Sequence, residues 1–139
     1  MDVLMEGIIA IDLGGTVIKL ALVSDGKIMS RRQTPAFSQS GIQGRLPDLE
    51  QEIRELVAMA ESLNIIPMGI GLAFPGIVNS DLNQVLATNE KYNDAHSFDF
   101  SAWASRNWNL PLVMENDARM ALLGEWQYDA GKGFHDLVM

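Results

Sequence analysis

Four residues near the N-terminus have the composition of a phosphate-binding turn: Asp12, Gly14, Gly15 and Thr16. Adjacent glycines allow backbone N–H groups to approach phosphate oxygens closely, and the Thr16 hydroxyl can donate a further hydrogen bond. Asp12 can hold Mg²⁺ through water, because Mg²⁺ keeps most of its hydration shell in proteins. An ordinary hairpin turn with a capping Asp uses the same residue types, so the motif alone leaves both interpretations open.

A second polar cluster, Glu115-Asn116-Asp117, follows a short apolar strand and precedes a predicted helix. The helix dipole stabilises a carboxylate at the N-terminus in its ionised form, which places Asp117 to accept a proton from a bound hydroxyl. The alternative is that Asn116 and Asp117 only cap the helix.

Two loops add further candidates. Pro75-Gly76 follows a buried strand, where a turn can present a backbone edge to a cleft, although a plain connecting turn explains the same residues. Thr88 and Asn89 lie in a long irregular segment, and such segments in compact domains are often functional.

The elements that must position these residues begin with three predicted strands over 7–13, 17–24 and 27–34. The glycine turn joins the first two strands, and Asp25-Gly26 joins the second to the third, because both residues tolerate positive φ. Short connections of this kind predict an antiparallel meander.

Alternating helices and strands follow the meander. The predicted elements, in chain order, are a mobile loop over 35–45, a helix over 47–63, a strand over 68–74, a small hairpin between 77 and 86, a helix capped by Ser101, a strand over 112–115 and a helix from Asp117 to about Ala130. The order β-β-β-α-β-α-β-α predicts an α/β fold with a mixed five-stranded sheet flanked by helices. A dinucleotide-binding fold is excluded, because there the glycines would join a strand to a helix.

Composition limits the function further. The chain has 139 residues and a formal net charge of −8, with 10 Lys and Arg against 18 Asp and Glu, which argues against binding nucleic acid or an anionic membrane surface. Cysteine is absent and the two histidines lie far apart, so we expect no disulfide and no structural zinc. The acidic N-terminus is unlike a signal peptide and no apolar run reaches ~18 residues, so we expect a cytoplasmic protein.

Three motifs in one order resemble a known family. They are I-D-L-G-G-T at 11–16, G-I-G-L-A-F-P-G-I-V at 69–78 and E-N-D-A at 115–118. Together they resemble the N-terminal lobe of the ROK family of sugar kinases and repressors. That family belongs to the actin/hexokinase/Hsp70-type superfamily, whose lobes are similar to ribonuclease H. The resemblance implies ATP-dependent phosphorylation of a hexose or hexose derivative.

The same resemblance implies roles for the phosphate side of the site. Asp12 would help to organise Mg²⁺, and Gly14, Gly15 and Thr16 would face the phosphates of ATP. Asp117 would be the general base that takes the proton from the sugar hydroxyl.

For the sugar side, the resemblance implies a pocket lined by Gly76, Asn89 and Asn116. Relatives vary at Asn89, and Arg119 stands where many relatives have a second Asn. Both differences affect positions that the resemblance places at the sugar pocket.

The resemblance also sets expectations for the organisation of the chain. Residues 1–133 would form the lobe, and 134–139 would begin the first strand of a second lobe. The first strand starts too early to leave room for a helix-turn-helix domain, which favours the kinase branch. We expect the chain alone to be inactive, because half of the cleft would be missing, and we expect its apolar end to support a homodimer. The alternatives are a non-catalytic sugar sensor and an actin-like or Hsp70-like ATPase lobe.

Overall fold

The structure is a computed structural model, and it describes residues 3–116. Its strands and α-helices are, in chain order, β1 Met5–Leu13, β2 Val17–Ser24, β3 Lys27–Pro35, α1 Leu46–Ser62, β4 Ile65–Phe74, β5 Ile77–Asn79, β6 Gln84–Ala87, α2 Phe100–Trp108 and β7 Leu112–Asn116. The predicted helix from Asp117 to Ala130 lies outside the described residues. Neither α1 nor α2 has the length and apolar composition that a helix needs to cross a membrane.

The central sheet has five strands in the order β3-β2-β1-β4-β7. β1 pairs antiparallel with β2, β2 pairs antiparallel with β3, and β4 pairs parallel with both β1 and β7. The predicted meander and the mixed five-stranded α/β sheet are therefore confirmed. Asp25 and Gly26 adopt φ of 52° and 70°, as a tight hairpin between β2 and β3 requires.

Helix α1 packs against the sheet through residues spaced three and four apart, since Leu49, Ile53, Leu56 and Ala60 are all buried. The sequence pattern predicts that the next strand begins at residue 68, but β4 begins at Ile65. The difference arises at Pro67, which has no N–H to donate; the register of β1 against β4 shifts beside it, between Gly7 and Ile8.

The prediction of a mobile loop over 35–45 is wrong. Ala36 and Ile42 are fully buried in the core, and the segment contains two short 3₁₀ helices. The Asp94 carboxylate holds it in place by accepting hydrogen bonds from the backbone N–H groups of Ile42 at 2.6 Å and Gln43 at 3.1 Å. Composition missed this contact because Asp94 is more than fifty residues away in sequence.

Helix α2 begins two residues earlier than predicted. Asp99, not Ser101, is its N-cap, and the Asp99 carboxylate accepts a hydrogen bond from the N–H of Ala102 at 2.9 Å. Trp103 is buried and packs edge-on against Trp108. The predicted small hairpin is also confirmed, as β5 paired with β6.

Candidate functional site

The ends of three neighbouring strands meet at one edge of the central sheet. Asp12 in β1 is paired with Ala73 in β4, and Ala73 is paired with Glu115 in β7. One position further along, Phe74 is paired with Asn116. The three motifs that lie far apart in sequence are therefore neighbours, at the carboxyl edge where α/β sheets bind ligands.

The glycine turn after β1 depends on a residue without a side chain at position 14. A Cβ at Gly14 would lie 2.4 Å from the carbonyl oxygen of Val17, which is closer than real Cβ atoms approach backbone. The Gly14 N–H donates to the carbonyl of Asp12 at 3.0 Å, which closes the turn immediately after the strand. The sequence therefore specifies a tight turn with its backbone accessible beside Asp12.

Three carbonyl groups of this turn are occupied by other parts of the chain. The Tyr92 hydroxyl donates to the Gly14 carbonyl at 2.6 Å, and the Ser38 hydroxyl donates to the Gly15 carbonyl at 3.1 Å. The Thr16 carbonyl accepts from a backbone N–H at 3.0 Å, which belongs to the residue after β3. Since acceptors oriented toward an anion would repel it, carbonyls held in protein hydrogen bonds suit an anion-binding turn.

Tyr92 is the buried support of the turn. The side chain is 0% exposed, and burial raises the pKa of its hydroxyl to about 12. The positive charge of Arg45 lowers this pKa, and the negative charge of Asp12 raises it. The hydroxyl therefore stays protonated at neutral pH and remains a donor to the turn.

The other half of the candidate site is the Pro-Gly turn after β4. The Asn116 side-chain amide donates to the Gly76 carbonyl at 2.7 Å, so the structure brings together two of the predicted sugar-pocket residues. A Cβ at Gly76 would lie 2.2 Å from the carbonyl oxygen of Ala87 in β6. Position 76 is thus enclosed between the end of β7 and the β5–β6 hairpin, and only glycine fits there without movement.

Two predicted residues are not joined to this arrangement. Asn89 is exposed, and no hydrogen bond of its side chain is seen within residues 3–116; its backbone has a left-handed φ of 50°. It is two residues beyond Ala87, whose carbonyl oxygen lies beside position 76. Asp117 lies outside the described residues.

The position of Asp12 suits a single Mg²⁺ ion, which keeps most of its hydration shell when it binds a protein. Asp12 is exposed near the end of β1, two residues before Gly14. Mg²⁺ is commonly held by one or two carboxylates together with water and substrate phosphates, so a single Asp is a fitting protein contribution. Within the described part of the chain no three His, Cys, Asp or Glu side chains form a group that could hold a metal alone.

Several contacts of the site were beyond the reach of sequence reasoning. Tyr92 and Ser38 support the glycine turn from loops, and neither carries a motif. The Ser80 hydroxyl donates to the Glu115 carboxylate, which links the β5–β6 hairpin to β7. The only signal was indirect, namely that Tyr92 belongs to the same irregular segment as Asn89.

Comparison with known proteins connects this geometry to a family. A model of the ROK family matches residues 8–139. A glucokinase from Halalkalibacterium halodurans is 27% identical over 133 residues, which cover 94% of this chain and 39% of the glucokinase. A beta-glucoside kinase from Listeria monocytogenes is 29% identical over 133 residues, which cover 94% of this chain and 42% of that kinase. The chain thus spans about two fifths of the length of these relatives.

A solved structure shows the same fold. The crystal structure of a ROK family glucokinase from Streptomyces griseus, in complex with glucose and AMPPNP, superimposes with a TM-score of 0.66 at 25% identity. The match covers 91% of this chain and 38% of that glucokinase. The α/β architecture predicted from the sequence is therefore shared with the matched part of this ROK family glucokinase.

Proposed function

The chain belongs to the ROK family, and on that premise we propose that residues 1–133 form the N-terminal lobe of an ATP-dependent sugar kinase. The acceptor would be a hydroxyl group of a hexose or hexose derivative. One observation carries the proposal: the glycine turn after Asp12 and the hydrogen bond between Gly76 and Asn116 lie at the same edge of the sheet. A kinase must hold a phosphate donor and a hydroxyl acceptor side by side, and this edge offers one place for each.

On the donor side, we assign the turn formed by Gly14, Gly15 and Thr16 to the phosphates of ATP. The donors would be the backbone N–H groups of Gly15 and Thr16, because the Gly14 N–H already donates to the Asp12 carbonyl. The turn carbonyls are held by Tyr92 and Ser38, among others, so that the N–H groups are the groups left to face an anion. This use of backbone dipoles fits a chain with a net charge of −8, which has few basic side chains for phosphate binding.

Asp12 is the residue that we assign to Mg²⁺. When bound, Mg²⁺ neutralises charge on the phosphate oxygens during transfer. The contribution of the chain is to hold one carboxylate rigidly at the end of β1, beside the turn, and the pairing of Asp12 with both Lys19 and Ala73 provides that rigidity.

On the acceptor side, we assign Gly76, Asn116 and Asn89 to the sugar pocket. The hydrogen bond from Asn116 fixes the Gly76 carbonyl, so the pocket would present an ordered backbone edge and side-chain amides to sugar hydroxyls. Such polar groups impose specificity, because a sugar that does not hydrogen-bond to them leaves them desolvated and without partners, which weakens its binding.

Asp117, which follows Asn116 in the chain, is the carboxylate that we assign as general base. It would take the proton from the attacking sugar hydroxyl. The hydroxyl oxygen would then form a bond to the γ-phosphorus while the bond from that phosphorus to the β–γ bridging oxygen breaks and ADP leaves.

The proposal is tested with the complete gene product that contains this sequence, by measuring ADP release with ATP, Mg²⁺ and a panel of hexoses. We expect sugar-dependent release that Asp117→Asn lowers by about 10²–10⁴-fold, the usual contribution of a general base. Asp25→Asn is the matched control, because Asp25 lies in the exposed β2–β3 turn at φ 52°, a conformation that Asn also adopts. Sugar binding without turnover in the wild type would instead support a sugar sensor.

A further inference from the structure

A lysine that no sequence motif indicated lies against the glycine turn. A Cβ built on Gly15 would be 3.1 Å from both Cε and Nζ of Lys91, so the ammonium group sits directly over the exposed backbone of Gly15. Lys91 belongs to the segment between β6 and α2, and it is more than seventy residues from the turn in sequence. The fold therefore brings a positive charge to the turn that we assign to phosphate.

The position of Lys91 is fixed by its neighbours. Its own N–H donates to the carbonyl of Thr88 at 3.1 Å, and the next residue, Tyr92, is buried and bonded at two points. The Tyr92 N–H donates to the carbonyl of Ser38 at 2.7 Å, and its hydroxyl donates to the Gly14 carbonyl at 2.6 Å. The backbone of Lys91 is consequently held beside the turn by these hydrogen bonds.

The backbone of this segment is unusual in a way that is typical of functional sites. Asn89, Glu90 and Tyr92 have φ of 50°, 63° and 53°, a left-handed region that residues other than glycine adopt at a cost. Three such residues within four positions direct the intervening Lys91 toward the turn. The contacts of Tyr92 with the glycine turn maintain this conformation.

The charge of Lys91 is available for a ligand. Within residues 3–116 Lys91 takes part in neither of the two ion pairs, each of which involves an arginine. The nearest carbonyls of the turn, at Gly14 and Gly15, already accept hydrogen bonds from Tyr92 and Ser38. An ammonium group and backbone N–H groups on the same side of a turn are all donors, and one anion can accept from them together.

We propose that Lys91 is a phosphate-binding side chain, which contacts the polyphosphate group of the nucleotide at the Gly15 turn. This inference rests on the proposed function, since it names a further ligand for the same donor site. It explains how an acidic chain places a positive charge at its phosphate turn without any basic residue in the turn itself.

The test uses magnesium tripolyphosphate as the probe, because it carries the phosphates of ATP without the adenosine. Its binding to the complete gene product that contains this sequence is measured by titration calorimetry for the wild type, Lys91→Met, Lys91→Arg and Lys27→Met. Lys27 is exposed in the β2–β3 hairpin, at the opposite end of the sheet, so its variant removes the same charge away from the turn.

We expect Lys91→Met to weaken binding about 10-fold, in line with the loss of one charge-assisted hydrogen bond, while Lys91→Arg retains most of the affinity. Lys27→Met should change affinity less than about 2-fold, since exposed charges at that distance are largely screened. Equal effects of Lys91→Met and Lys27→Met would overturn the role of Lys91 and leave the kinase proposal intact. A wild-type chain that binds no tripolyphosphate would overturn the phosphate turn and Lys91 together.

The unmodified chain provides a second readout that needs no variant. An amine-acylating reagent is applied with and without magnesium tripolyphosphate, and the modified lysines are identified by mass spectrometry. We expect protection of Lys91 and none of Lys27. Equal acylation of Lys91 in the presence and absence of the probe would contradict the proposed contact.

Discussion

Replacing Gly76 with alanine should displace the backbone on the acceptor side of the site. The added Cβ would lie 2.2 Å from the carbonyl oxygen of Ala87 and 3.0 Å from a ring carbon of Phe74. Backbone cannot swing aside as a flexible side chain can, so the β5–β6 hairpin or the turn itself must move. Either movement displaces the Gly76 carbonyl from the side-chain amide of Asn116, which now donates to it at 2.7 Å.

The expected cost follows from that geometry. Inserting a methyl group into a site without room costs about 1–3 kcal/mol, and loss of the Asn116 hydrogen bond adds about 1 kcal/mol. We therefore expect Gly76→Ala to lower the free energy of unfolding by about 2–4 kcal/mol. Gly71→Ala, in the preceding strand β4, is the matched control, since a Cβ at Gly71 would meet nothing within 4 Å. It should be neutral or stabilising by up to about 1 kcal/mol, because alanine restricts the unfolded chain.

Urea unfolding followed by tryptophan fluorescence measures both changes. With m-values of about 1–3 kcal/mol/M, Gly76→Ala should lower the midpoint by roughly 1–2 M while Gly71→Ala leaves it unchanged or higher. Equal midpoints for the two variants would refute the reasoning, because the only structural difference invoked is the close approach of Ala87 to position 76.

Two further substitutions test the supports of the glycine turn. Tyr92→Phe leaves the Gly14 carbonyl without its donor and should cost about 1–2 kcal/mol at pH 7 by urea unfolding. Because the pKa of Tyr92 is raised from 10.0 to about 12 in the folded chain, the unfolded chain loses this proton first, so wild-type stability should fall as pH rises from about 10 to 12. The Tyr92→Phe variant should lack that part of the alkaline loss, and identical alkaline profiles would count against a buried hydroxyl. Asp94→Asn replaces an acceptor of two backbone N–H groups, so it should cost about 1–3 kcal/mol and speed amide exchange over residues 36–45; unchanged exchange there would show that the carboxylate does not hold the segment.

Local patterns were sufficient to predict most of the sheet. The Asp25-Gly26 hairpin and the glycine turn define the meander, because turn residues and apolar alternation are properties of adjacent positions. The order of elements predicted a mixed sheet, and the structure shows that its parallel pairs are β4 with β1 and β4 with β7. The start of β4 was less predictable, since Pro67 would normally end a strand and is accommodated here by a register shift in β1.

The candidate site divides in the same way. Asp12, Gly76 and Asn116 were predicted from strand ends and turns, and the sheet register then brought their strand ends together. Tyr92 and Lys91 could not be predicted, because their roles depend on a left-handed loop that packs across more than seventy residues of sequence. Long-range contacts of this kind leave no periodic or spacing signal in a single chain.

The transfer of phosphate itself tests the central claim most directly. The complete gene product is incubated with γ-labelled ATP, Mg²⁺ and each hexose of a panel, and the labelled products are separated and identified by mass spectrometry. We predict that label appears in one sugar phosphate, with one ADP formed for each, because the sheet edge would hold donor and acceptor together. Label released only as inorganic phosphate, or no transfer to any sugar by a folded protein, would contradict the assignment of this edge as a sugar kinase site.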